Sequence, residues 1–125
     1  MIYGIGTDIV EIKRLTGMKS LDAFANKVLT ENELKVFDDL TKSKKASYLA
    51  KQFAAKEAIA KAFGTGLKDP IQLNNIEILR NDEGKPTFNP LNGLISKITD
   101  LGITKTHVSL ADEKDYAIAF AILEI

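Results

Sequence analysis

The sequence predicts an α+β fold in which a mainly antiparallel sheet packs with one long central helix. Strand-like and helix-like segments are mixed without regular βαβ alternation. The middle of the chain, "SKKASYLAKQFAAKEAIAKAFGTG", is alanine-rich and bounded like a helix. Its end, "KTHVSL" and "YAIAFAILEI" about the polar turn "ADEKD", reads as an antiparallel hairpin. With 125 residues, 45% of them hydrophobic, one domain spanning 1–125 is expected.

The opening "MIYGIGTDIV" reads as a short strand, and Gly4 and Gly6 mark a place where a backbone or ligand comes close. Asp8 lies at its end. A short helix follows from Glu11 to about Met18, with Ile12 and Leu15 inward and Lys13 and Arg14 towards solvent. A second covers about Leu21 to Leu29. Thr30 and Glu33 then form a capping box for a third, in which Leu34, Phe37 and Leu40 repeat at helical spacing. Ser43 is the expected N-cap of the central helix, and Gly64 its stop. "RNDEGKPTF" reads as strand, turn and returning strand, and Pro90 to Leu101 as a short helix with proline in its first turn.

Composition excludes several function classes. There is no cysteine and one histidine, so any metal must be held by oxygens. Seventeen basic residues balance seventeen acidic ones, which argues against a general nucleic-acid binder. No basic leader precedes an apolar stretch, and the longest apolar run, Tyr116 to Leu123, is too short to span a bilayer. A cytoplasmic protein without membrane association is expected.

Within "FAAKEAIAKAF" only Lys56, Glu57 and Lys61 are not apolar. Helical geometry puts Phe53, Glu57 and Lys61 on one face in successive steps of roughly 40°, with Lys56 roughly 100° from Glu57. The pair is either an ordinary (i, i+4) ion pair or charge kept on an apolar helix because function uses it. Asp8 is either a turn former or a second carboxylate for an oxygen-ligand site, of the kind magnesium takes. His107 shares a strand face with Ser109. Lys42, Lys44 and Lys45 form either a solvated run or a phosphate clamp.

"GIGTDIVEIKR" and "FAAKEAIAKAFGTG" resemble the two signature motifs of the bacterial holo-acyl-carrier-protein synthases, which are 4′-phosphopantetheinyl transferases, and "DEGKP" and "HVS" resemble further family segments. The resemblance implies that Asp8 and Glu57 hold magnesium and that Lys61 is the active-site lysine. It implies a coenzyme A pocket that includes Lys44, Lys61, Gly84, Lys85, Pro86 and His107. It also implies a homotrimer with active sites between subunits, serving fatty-acid synthesis. Gln52 and Glu83 depart from the arginine and asparagine common in relatives, and both changes would remove phosphate or nucleotide contacts.

The implied reaction transfers phosphopantetheine from coenzyme A to a serine of an acyl carrier protein and releases adenosine 3′,5′-bisphosphate. The serine proton goes either to Glu57 or to a water on the metal. The carrier is expected to be acidic and to dock on Lys13 and Arg14, with Met18 beside them. Two other readings fit parts of the pattern: a magnesium-dependent hydrolase of nucleotide pyrophosphates, and a non-catalytic subunit that keeps the fold.

Overall fold

The computed structural model describes residues 1–125. Strand β1 (Ile2–Glu11) is followed by helices α1 (Ile12–Thr16), α2 (Leu21–Val28), α3 (Glu31–Asp39) and the long α4 (Lys42–Ala62). The hairpin β2 (Ile76–Arg80) and β3 (Pro86–Pro90) comes next, then α5 (Gly93–Asp100), β4 (Lys105–Asp112) and β5 (Tyr116–Glu124). The main sheet is antiparallel in the order β1-β5-β4, and β2-β3 form a separate antiparallel pair.

One face of the main sheet lies on α4. Alternation puts Ala117, Ala119, Ala121 and Leu123 of β5 on that face, all fully buried. On β1 the same face carries Gly4 and Gly6, where an added Cβ would stand 1.9 Å from the carbonyl oxygens of Ala62 and Ala58 respectively. The close approach anticipated at these glycines is therefore made by the backbone of α4. The strand does not end there, because residues without side chains let β1 pass directly beneath the helix.

The alanines of α4 serve the same contact: Ala50, Ala54, Ala55, Ala58 and Ala62 are buried, so helix and sheet approach closely on both sides. Its start differs from expectation. Thr41, not Ser43, is the N-cap residue; it makes no side-chain capping bond to the helix backbone, and Ser43 lies inside the first turn. Gly64 follows the end with φ 85°, a left-handed conformation suited to glycine. The capping box of α3 is complete, with the Thr30 hydroxyl accepting from Glu33 N–H and the Glu33 carboxylate accepting from Thr30 N–H.

Two further boundaries move. Pro90 closes β3 and does not enter a helix, and α5 begins only at Gly93, after Asn92 at φ 55°. Residues 111 and 112 belong to β4, so the terminal turn is shorter than the polar stretch suggested. No helix is long and apolar enough to cross a membrane.

Candidate active site

Asp8, Glu57 and Lys61 meet on the helix side of the sheet. Gly4, Gly6 and Asp8 pair with Leu123, Ala121 and Ala119, the buried face of β5, so Asp8 points towards α4 as Gly4 and Gly6 do. Lys61, on the last turn of α4, donates to Asp8 Oδ1 at 3.0 Å and to the Thr7 carbonyl at 2.9 Å. The Asp8 side chain is 17% exposed and that of Lys61 53%, so the pair opens to solvent at one end. Glu57 lies one turn before Lys61, and its carboxyl is pushed above the usual range by desolvation first and by the Asp8 charge second, with Lys61 opposing. The pattern left two readings for Glu57 and Lys61; the cation pairs with Asp8 across the helix–strand contact.

The donor set fits magnesium. No three His, Cys, Asp or Glu side chains cluster to form a complete protein cage. Two carboxylates from different elements remain, which suits an ion that keeps several waters and takes further oxygens from substrate phosphates.

A second feature lies on the opposite face of the sheet. A cleft of about 330 Å³ is lined by Lys85, Pro86 and Phe88 of the hairpin, by His107 and Ser109 of β4, and by Phe120 and Ile122 of β5. His107, Lys85 and Pro86 thus come together although 21 residues separate Pro86 from His107. Gly84 does not line the cleft; at φ 82° it turns the chain so that β3 can return. Lys44 lies elsewhere too, in a recess with Ser43, Ser47 and Lys51, near Asp112 at the far end of β4. Because Asp8 faces α4 and His107 faces away from it, one chain does not unite the carboxylates with this cleft.

Lys13 and Arg14 are exposed on α1, and Met18 is half-buried against the core just beyond it. Gln52 corrects the sequence reading. It is wholly buried, and its amide nitrogen donates to Glu33 Oε2 at 2.7 Å and to the Ile78 carbonyl at 2.9 Å, while its Oε1 has no partner. An arginine here would start from the same interior position and face Glu33, so the departure concerns the core. Glu83 sits exposed in the β2-β3 turn, where its backbone N–H donates to Asn81 Oδ1.

Two residues were missed. Glu33 was assigned only to capping, yet it is fully buried and also accepts from Lys56 Nζ at 2.6 Å and from Ile78 N–H. Glu124 lies beside His107, with Oε2 2.6 Å from His107 Nε2. Alternation places Glu124 on the face of Ile122, but its meeting with His107 depends on the β4-β5 register.

Residues 4–121 match the 4′-phosphopantetheinyl transferase superfamily. A holo-acyl-carrier-protein synthase of Shewanella baltica is 45% identical over 125 residues, covering 98% of this chain and 97% of the relative. The crystal structure of the holo-acyl-carrier-protein synthase of Neisseria meningitidis superposes with a TM-score of 0.93 at 43% identity, over all of both chains. That of the Bacillus anthracis enzyme, in complex with CoA (3′,5′-ADP), gives 0.84 at 36% identity, over 98% of this chain and 96% of the other. Similarity at this level over nearly the whole length means that the chain belongs to the 4′-phosphopantetheinyl transferase superfamily, in its holo-acyl-carrier-protein synthase family.

Proposed function

We propose that this protein transfers the 4′-phosphopantetheine arm of coenzyme A to a serine of apo-acyl carrier protein, with magnesium, at sites shared between copies of the chain. The observation that carries the reading is the cluster of Asp8, Glu57 and Lys61, two carboxylates and a cation at the open edge of a buried contact. The similarity to holo-acyl-carrier-protein synthases, one of them crystallised with a coenzyme A species, supports the substrate class.

In the reaction the serine oxygen bonds to the β-phosphorus of coenzyme A. The bond from that phosphorus to the bridging oxygen breaks, and adenosine 3′,5′-bisphosphate leaves with the electron pair. Asp8 and Glu57 would hold magnesium, which supplies charge neutralisation for the pyrophosphate. Lys61, anchored by the Thr7 carbonyl and Asp8, stands where its ammonium can stabilise charge on the departing phosphate. We assign the serine proton to Glu57, the carboxylate that α4 presents beside Asp8 and Lys61. Lys85, Pro86 and His107 would contact coenzyme A in their cleft, with Gly84 shaping the turn that presents them and Lys44 binding a phosphate from its own recess. Lys13, Arg14 and Met18 would receive the carrier protein.

Two features support our assignment of a homotrimer. The sheet face away from α4 is open and apolar: Ile5 and Ile9 are each 58% exposed, and Ile118 and Phe120 lie beside them. The carboxylates and the His107 cleft lie on opposite faces, so a second copy is needed to bring the two together. In the trimer we propose, each copy's open face would be covered by a neighbour. We place the enzyme in the cytoplasm, serving fatty-acid synthesis.

Mass spectrometry of apo-acyl carrier protein incubated with enzyme, coenzyme A and magnesium tests the reading. The expected result is a mass gain of one phosphopantetheine, lost with chelator and in Asp8→Ala and Glu57→Ala. Cleavage of coenzyme A without modification of the carrier would establish a pyrophosphate hydrolase instead, and full activity in chelator would remove the metal.

A further inference from the structure

We propose that Glu124 is a positioning residue of the coenzyme A cleft: it takes the Nε2–H of His107 and so fixes the ring's tautomer, leaving Nδ1 as the ring atom available to the ligand. The inference rests on the reading of that cleft as the coenzyme site. His107 pairs with Ile122 across the β4-β5 ladder, and Glu124 is the next residue of β5 on the same face, the diagonal position from which a long side chain can reach. Nε2 and Oε2 stand 2.6 Å apart. A carboxylate can only accept, so the proton in this bond belongs to the ring and Nε2 is occupied.

What Nδ1 presents then depends on the second proton. A neutral ring offers an acceptor to the cleft, and a protonated ring offers a donor suited to a phosphate oxygen. The other charged groups near the pair are Lys105 on β4 and the Met1 ammonium, both of which act on Glu124, and Lys85, in the turn just before β3, which lines the same cleft. The Glu124 carboxyl is itself held below the usual range, chiefly by the hydrogen bond from His107 and then by the ring's charge.

His107 is the only histidine in the chain, so its imidazole nitrogen resonances are unambiguous in the unfragmented protein. In the unaltered protein the neutral ring should carry its proton on Nε2. In Glu124→Gln the tautomers should mix. Coenzyme A binding by calorimetry near pH 6.5 should weaken roughly 3- to 20-fold in Glu124→Gln. It should weaken at least as much in His107→Ala, and no further in the double variant. An unchanged tautomer in Glu124→Gln, or an undiminished effect of Glu124→Gln when His107 is already alanine, overturns the role given to Glu124. Failure of the unaltered protein to bind coenzyme A overturns the reading of the cleft itself.

Discussion

Lys61 reaches Asp8 with a side chain that is still half exposed to solvent. Exposed pairs contribute about 0–1 kcal/mol to stability, so removing this one should leave the fold nearly untouched. If the ammonium meets charge that grows on the leaving phosphate, its loss acts on the transition state more than on the bound ground state. Lys61→Ala should lower kcat about 100-fold or more while changing the Michaelis constant for coenzyme A much less. Steady-state kinetics beside a thermal melt check this; a lowered melting temperature with kcat intact in the folded fraction would return Lys61 to structure alone.

Helix α4 is held in place by a different set of charges from those it presents. Lys56, adjacent in sequence to Glu57, is fully buried and donates to Glu33 Oε1 and to the carbonyls of Val28 and Leu73. Burial pushes its ammonium down and Glu33 opposes that shift, so the charged form depends on its partner. Thr30 extends the network by donating to Glu77 Oε2, which ties α3 and β2 to the same place. Lys56→Ala should therefore destabilise the protein by roughly 3–5 kcal/mol, read as a shifted urea midpoint. On the sheet side, Gly6→Ala would put a methyl group into the Ala58 carbonyl and force β1 off α4. A loss of about 3 kcal/mol or more is expected, and activity should fall with it, because Asp8 rides on the same strand two residues later.

For the whole molecule, the proposed trimer would complete the site through the open face of the sheet. Phe120 lines the His107 cleft and stands in the apolar row with Ile118, directly across from Thr7. Phe120→Glu should leave the monomer folded, abolish trimers by analytical ultracentrifugation and remove transferase activity; an active monomer would show that one chain suffices. The outer surface should respond differently to each substrate. Arg14→Glu, on exposed α1, should raise the Michaelis constant for an acidic carrier protein, more at low salt than at moderate salt, with that for coenzyme A little changed. Lys44→Ala should do the reverse, and equal effects of either change on both substrates would undo its assignment.

The α+β class and the central helix were legible in the sequence because they depend on local patterns: alanine content, period-2 alternation near the end, and a capping box in register with Phe37. Asp8, Glu57 and Lys61 stood out because charge on an apolar helix and a carboxylate after a glycine-broken strand are local anomalies. The boundaries at Ser43 and Pro90 failed where two polar or turn-forming residues competed for one role and packing chose between them. What only the tertiary structure decided is which polar groups are inside. Gln52 and Lys56 sit within five residues of each other on one helix and look like surface residues by type, yet the side facing α3 and β2 is dry and Glu33 waits there. Likewise Glu124 acquires His107 only through strand register, and the separation of Asp8 from the His107 cleft follows from which face α4 covers. Such pairings join residues far apart in the chain, and local sequence carries no record of the distances that folding closes.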